Sequence, residues 1–312
     1  MGIWFSVLLF AVGIVLVVKG GDWFVDAASW IARAARIPTF IIGATIVSIA
    51  TTLPEMIVSI MASAEGKNDM AVGNAVGSVA ANLGLIMAIA FVFLPVIAPR
   101  KKYLKQCLIL IGTAGILWAG SLSGKVSLWA TIALAALFIL FTATTIVDAK
   151  QETETEEKPV CNRKEIIKHI VLFAVGAAAI VVGSNLLING GSDIAVALGV
   201  PERVIAVTMV AIGTSLPEFV TTITAIRKKE ANLSAGNIIG ANIIDLALIV
   251  PICSAVSGSS FAVSAVSLKI DFPVCFLLTL VAMIPLMIKE RSYKIQGIVM
   301  LVIYAVYLAF TV

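Results

Sequence analysis

Ten stretches of this chain are long, apolar and nearly free of charge, and they leave the backbone little choice of structure. They lie near residues 3–32, 39–64, 70–98, 104–121 and 127–148, then 166–197, 203–226, 232–256, 270–288 and 295–311. A helix needs roughly 20 apolar residues to cross the hydrocarbon core of a bilayer. With 60% apolar and only 13% charged residues, the chain cannot cover a water-facing surface. The mean hydropathy of +1.08 fits an all-α polytopic membrane protein of ten spans. It excludes a soluble enzyme, a disordered chain and a nucleic-acid binder. The net charge of +4 reflects loop lysines and arginines.

The basic residues orient these spans. Of the 22 Lys and Arg, seventeen fall on one set of alternate loops, including Arg33, Arg100, Arg163, Arg227 and Arg291. The other set holds only Lys67, Lys125, Arg203 and Lys269. Positive charge marks the cytoplasmic side of a cell membrane, so both termini are expected outside. The acidic stretch within residues 150–163 is then a solvated cytoplasmic linker. The first apolar run passes into Lys19, Asp22 and Asp26 without a cleavage pattern, so that span is expected to be retained. Those three charges sit at helical spacing and are expected to form an ion pair along one helix or an interfacial cluster.

The halves repeat at an offset of 163 residues without gaps. Thr51-Thr52-Leu53-Pro54-Glu55 falls on Thr214-Ser215-Leu216-Pro217-Glu218, and Gly73-Asn74-Ala75-Val76-Gly77 falls on Gly236-Asn237-Ile238-Ile239-Gly240. Asn82 falls on Asp245. Five spans is an odd number, so the second half enters the membrane from the opposite side. The expected units are 1–148 and 166–312, two inverted five-helix repeats, joined by a linker at 149–165. Inverted repeats recur in secondary transporters, with the substrate site at the midplane between them; channels and some enzymes also duplicate.

Glu55 and Glu218 lie deep in apolar spans, where an ionised carboxylate needs a cation, a proton or a wet cavity. The proline before each has no N–H and crowds the carbonyl four residues back, that of Ala50 or Gly213. Broken helices with freed carbonyls are therefore expected at the midplane. Four-residue spacing puts Asn74, Ser78 and Asn82 on one stripe of a partner helix, and Asn237, Ala241 and Asp245 on its counterpart. The glycine pairs allow close helix approach. This inventory of carboxylate, hydroxyl, amide and carbonyl oxygens suits Ca²⁺ and other hard cations better than zinc or copper. The scattered Cys107, Cys161, Cys253 and Cys275 and the lone His169 add no metal or disulfide pattern.

At these residues the chain resembles the sodium/calcium exchanger family of calcium/cation antiporters, in its compact prokaryotic and archaeal form. The likeness is carried by residues 38–85 and 201–248. It implies Na⁺/Ca²⁺ antiport by alternating access, with Glu55 and Glu218 as central carboxylates shared by the two ions. Thr51, Thr52, Ser78 and Asn82 would contribute from the first repeat, and Thr214, Ser215 and Asp245 from the second. Main-chain carbonyls near Ser48 and Ala211 would add further oxygens. The first span and its counterpart from Ile166 would slide against the other eight. No enzyme activity, cofactor or nucleic-acid partner is implied; the partners are the ions and the lipid bilayer, and a monomer is expected to suffice. The linker is too short for the cytosolic regulatory insert of animal exchangers.

Three departures from the family pattern bear on coupling. The first motif reads Ala50-Thr51-Thr52 where the second keeps Gly213-Thr214-Ser215. Ala241 removes a hydroxyl and leaves the Na⁺ stoichiometry open. Asp245, opposite Asn82, also resembles the potassium-dependent branch, which keeps K⁺ coupling and a protonated aspartate open. A Ca²⁺/H⁺ antiporter is a rival reading, although Gly77 and Gly240 stand where proton exchangers carry glutamate. A cation channel filtered by the two glutamates and an intramembrane hydrolase are further alternatives; the hydrolase lacks a nucleophile paired with a base.

Overall fold

The computed structural model describes residues 3–153, 162–199, 215–258 and 261–311. Among these the regular structure is helical, apart from two isolated antiparallel bridges. The first half comprises α1 (Ile3–Ala35), α2 (Thr39–Ala64), α3 (Asn68–Phe93), α4 (Arg100–Gly120) and α5 (Leu128–Thr153). The second comprises α6 (Arg163–Ala197), α7 (described over Leu216–Arg227), α8 (Ala231–Ser257), α9 (Ser267–Lys289) and α10 (Lys294–Thr311). These ends agree with the apolar runs to within a few residues. The expected span 203–226 is described only in its second part, and α5 and α6 reach into the linker from both sides.

Burial sorts the helices into a centre and a rim. In the apolar window of α8, 78% of residues are buried, and 72% in α3, against 22% in each of α1, α5 and α6. The centre thus consists of the two helices that carry the repeated glycine-asparagine motif. Gly236 and Gly240 let α8 lie directly on α2: a Cβ on either would run into backbone between Phe40 and Ala44. This is the packing role expected of that pair. For Gly73 and Gly77, no described atom outside their own helix approaches a Cβ within 4 Å.

Contacts between loops show which helix ends share a side. Arg33 reaches Glu230 at 3.5 Å, and Ala98 N–H donates to the Glu290 carbonyl at 2.7 Å. Lys105 pairs with Asp148 at 2.6 Å. At the opposite end, Val126 N–H donates to the Phe261 carbonyl at 2.9 Å and Ser63 Oγ to the Cys253 carbonyl at 2.7 Å. The basic loops therefore gather at one end of the bundle, as the charge partition requires.

On the rim, α1 and α6 run antiparallel in contact along their length. Ser6 Oγ donates to Asp193 Oδ2 at 2.8 Å near one end. Phe24 stacks on Phe173 and Trp30 on His169 toward the other. Between them Gly13 and Gly20 face Gly176 and Gly183, seven residues apart on each helix, and an added methyl at any of them would press on the partner's backbone. Asp22 and Asp26 take their partners across helices: Asp26 binds Lys228 at 2.6 Å, and Asp22 lies 3.7 Å from both Arg227 and Lys228. The interfacial cluster is thus the form realised, with its cations supplied by the end of α7. Cys107, Cys253 and Cys275 are buried and free, as core fillers; Cys161 lies outside the described residues.

Candidate cation site

Helical irregularity marks where the two halves meet. α2 runs through Pro54 in helical geometry, and its interruption is a π-turn earlier, at Gly43–Val47. α7 has Pro217 in its first turn, with Ser215 just outside it. In α3 and α8 the ladder widens to π-geometry at Asn82–Met87 and Asp245–Ile249, beginning at repeat-related positions. Such widened turns displace the next side chain and recur at functional sites. Here they begin at the amide and the carboxylate of the two stripes.

Around these turns the acidic groups are enclosed. Glu55 is 1% exposed, and Glu218 and Asp245 are fully buried. Glu55 lies within coulombic reach of both other acids, and Asp245 within reach of Glu218. No lysine, arginine or histidine among the described residues is buried with them. The halves touch directly: Thr52 Oγ1 donates to Glu218 Oε1 at 3.2 Å, and Thr51 Oγ1 to Asn237 Oδ1 at 3.2 Å. Asn82 Nδ2 donates to Asn242 Oδ1 at 3.0 Å, joining α3 to α8.

What remains unpaired is mostly acceptor oxygen. Both oxygens of Glu55, both of Asp245, Oε2 of Glu218, Oδ1 of Asn82 and Oγ of Ser215 have no hydrogen-bond partner among the described residues. Removing an ion from water costs several kcal/mol even after relaxation, and a buried charge is tolerated only when balanced. Three buried acids without a buried base therefore require cations, protons or both. No three His, Cys, Asp and Glu among the described residues converge as a cage of their own. Hydroxyl, amide and carbonyl oxygens must complete a coordination shell, as is usual for Ca²⁺ and Na⁺.

Of the sequence-derived ligand set, a hydrogen bond and coulombic contacts join Thr52, Glu55, Glu218 and Asp245. Thr51, Thr52, Glu55, Ser78, Asn82, Ser215, Glu218 and Asp245 are all buried on α2, α3, α7 and α8 or at their ends. Ser48 is buried too; its carbonyl accepts from Thr51 Oγ1 at 3.3 Å while its own hydroxyl donates to the Thr45 carbonyl at 3.0 Å. Ala211 and Thr214 lie outside the described residues. Sequence reading missed Asn242 and Ser59 as part of this polar network, and Thr222 as a buried hydroxyl one helical turn from Glu218. Ser59 and Thr222 had a signal, since each follows its glutamate by four residues at the repeat offset. A cavity of about 210 Å³ adjoins Ser215, but apart from Ser215 and Tyr304 its lining is wholly apolar.

The profile of the sodium/calcium exchanger protein family matches residues 5–147 and 168–312. The chain belongs to the sodium/calcium exchanger family. An uncharacterized membrane protein of Methanocaldococcus jannaschii is 30% identical over 305 residues, covering 96% of each chain. The sodium/calcium exchanger MaX1 of Methanosarcina acetivorans is 28% identical over 347 residues, covering 96% of this chain and 97% of its own. Among solved structures, the sodium-calcium exchanger NCX_Mj soaked with Na⁺ and without Ca²⁺ superposes with a TM-score of 0.86 at 29% identity, over 99% of both chains. This exchanger-family chain is a compact, multi-pass, all-α membrane protein, built like NCX_Mj as two inverted five-helix repeats. It is a transporter and not an enzyme.

Proposed function

We propose that this exchanger performs Na⁺/Ca²⁺ antiport at the joint between its halves, with Glu55 and Glu218 as the carboxylates for which the ions compete. As a family member the chain is a secondary active Na⁺/Ca²⁺ antiporter without an organic cofactor. The observation that carries the site assignment is the set of buried, unpartnered acidic oxygens from both halves, with no base among them. Two carboxylates balance one Ca²⁺ or a matching number of Na⁺. Emptied, the site is strongly negative and resists passage through apolar surroundings. Only loaded forms then change access, which makes transport an exchange.

Thr51, Thr52, Ser78 and Asn82 would serve from the first repeat, and Thr214, Ser215 and Asp245 from the second, with the carbonyls of Ser48 and Ala211. We take residues 1–148 and 166–312 as the two functional repeats and 149–165 as a cytoplasmic linker, with both termini outside a plasma membrane and one chain as the working unit. The clustering of basic loops at one end supports this orientation. The small-residue contact between α1 and α6 supports their movement as a pair against the other helices.

A second reading concerns the third acid. Both oxygens of Asp245 lack partners, so a proton or K⁺ there would make exchange depend on pH or potassium. Proteoliposome uptake of radiolabelled Ca²⁺ on a Na⁺ gradient tests the main reading, repeated with K⁺ and with a pH gradient. Na⁺-driven uptake, lost in Glu55→Gln and Glu218→Gln with the protein still folded, is expected. Uptake driven by protons and indifferent to Na⁺, or transport kept by either variant, would overturn it.

A further inference from the structure

The repeat offers a comparison within one molecule, because the residues of the paired motifs recur 163 residues apart. Equivalent residues do not all make equivalent bonds: Thr52 donates to Glu218 while its counterpart Ser215 has no partner among the described residues, and the paired asparagines differ as well. In the first half, Asn74 Nδ2 donates to Ser59 Oγ at 2.8 Å and to the Glu55 carbonyl at 3.2 Å, tying α3 to the glutamate turn of α2. The corresponding groups are Asn237 Nδ2, Thr222 Oγ1 and the Glu218 carbonyl. They have the chemistry for the same bonds, at the same spacing in sequence. Yet Asn237 Nδ2 and Thr222 Oγ1 are both buried and have no hydrogen-bond partner among the described residues. Asn237 instead uses Oδ1, accepting from Thr51 Oγ1 of the opposite half at 3.2 Å.

Residue identity does not account for this difference. Both asparagines are present, and serine and threonine both carry a hydroxyl. The conformation of each half must account for it, since leaving two buried polar groups unpaired is costly. In an inverted repeat, a change of access exchanges the conformations of the halves around a fixed site. A bond made in one half and missing in the other is then a record of the access state.

We infer that Asn74 and Asn237 are positioning residues that fasten the two glutamate helices in turn. In the state described here Asn74 holds α2 at Glu55 and Ser59, while α7 is released. In the opposite access state Asn237 holds α7 through Thr222 and the Glu218 carbonyl, and Asn74 lets go of α2. Each asparagine thereby sets the position of a glutamate without being one of its ion ligands. This inference rests on the alternating-access reading above.

Hydrogen–deuterium exchange of the full-length protein in detergent, followed on residues 55–64 and 218–227, tests it without an ion gradient. Asn74→Ala removes a bond found in one state only, so the population moves toward the other. Residues 55–64 should lose protection and residues 218–227 gain it, by about three- to ten-fold, the equilibrium change expected for one hydrogen bond. Asn237→Ala should do the reverse. Ser59→Ala and Thr222→Val should repeat the two signs at smaller size, and they decide the matter if an asparagine variant does not fold. Loosening confined to the substituted half, loosening of both halves together, or no change in either would overturn the inference. Loss of Na⁺-driven Ca²⁺ uptake by the unsubstituted protein would instead count against the exchange reading alone, since reciprocity is read without transport.

Discussion

Gly240→Ala tests whether the site depends on the close approach of α8 to α2. A methyl at Gly240 would stand 2.5 Å from the Ala44 carbonyl oxygen and 2.7 Å from both Ala44 Cα and Ser48 Oγ. Ordinary contact begins at 3.4 Å, so relief by separation needs about 0.9 Å, the difference between 3.4 and 2.5. Two of the three obstructing atoms belong to the backbone of Ala44, within the π-turn Gly43–Val47, where rotamer change gives no escape. Overpacking of this kind costs about 1–3 kcal/mol. The same displacement would stretch the Thr51–Asn237 bond from 3.2 Å to about 4 Å, beyond useful hydrogen bonding. Thermal unfolding in detergent should therefore show the loss of stability, and Ca²⁺ uptake in proteoliposomes should need about ten-fold more Ca²⁺ for half-saturation, equivalent to about 1.4 kcal/mol. Gly112→Ala is the control, since its methyl would meet only Leu137 Cδ1 at 3.6 Å. Equal stability and equal Ca²⁺ dependence for the two variants would refute the argument.

Thr52→Val removes the donor that reaches Glu218 Oε1 at 3.2 Å. Bonds to charged groups contribute about 1.5–3 kcal/mol, so Ca²⁺ half-saturation should weaken by about ten-fold or more; an unchanged Ca²⁺ dependence in uptake assays would contradict the geometry. Asp26→Asn breaks a contact whose aspartate side chain is 60% exposed, and an exposed pair contributes about 1 kcal/mol at most. Its melting temperature should stay within a few degrees of the parent, with the remaining difference vanishing in high salt. Asp245→Asn matches the second stripe to Asn82 of the first, and any K⁺ or pH dependence of Na⁺-driven uptake should disappear with it; an undiminished dependence in flux assays would move that coupling elsewhere.

Much of the fold was legible because lipid imposes strict rules on sequence. Helix number, the inverted relation of the halves and the grouping of loops followed from apolar length, an odd span count and the placement of arginine and lysine. The glutamates were legible for a related reason: an acid in an apolar run has few structural uses. The π-turns at Asn82 and Asp245 left no comparable signal, because widening depends on how α3 and α8 are packed and not on a residue type that breaks helices. Proline marked the first turn of α7 at Pro217, whereas the chain around Pro54 stays helical and the irregularity of α2 appears nearer Gly43, where α8 presses close. Asn242 was missed because its role is set by its neighbour across the interface, and spacing within one helix says nothing of that.

The two halves differ least in shape and most in charge at one pair of positions, and that difference bears on coupling. Were Asp245 an asparagine like Asn82, two carboxylates would face the ions, and one Ca²⁺ would neutralise them. With Asp245 ionised, a Ca²⁺-loaded site keeps one negative charge, and three Na⁺ would be needed for neutrality. With Asp245 protonated, the Ca²⁺-loaded form is neutral and the Na⁺-loaded form needs only two charges. Since the barrier to changing access rises with uncompensated charge in an apolar setting, the protonation of this one side chain decides which loaded forms cross readily. Asp245 is buried where no basic group among the described residues can balance it, so its counter-charge must come from the transported cations or from a proton. With these acids as the ion ligands proposed above, the charge balance of exchange turns on Asp245.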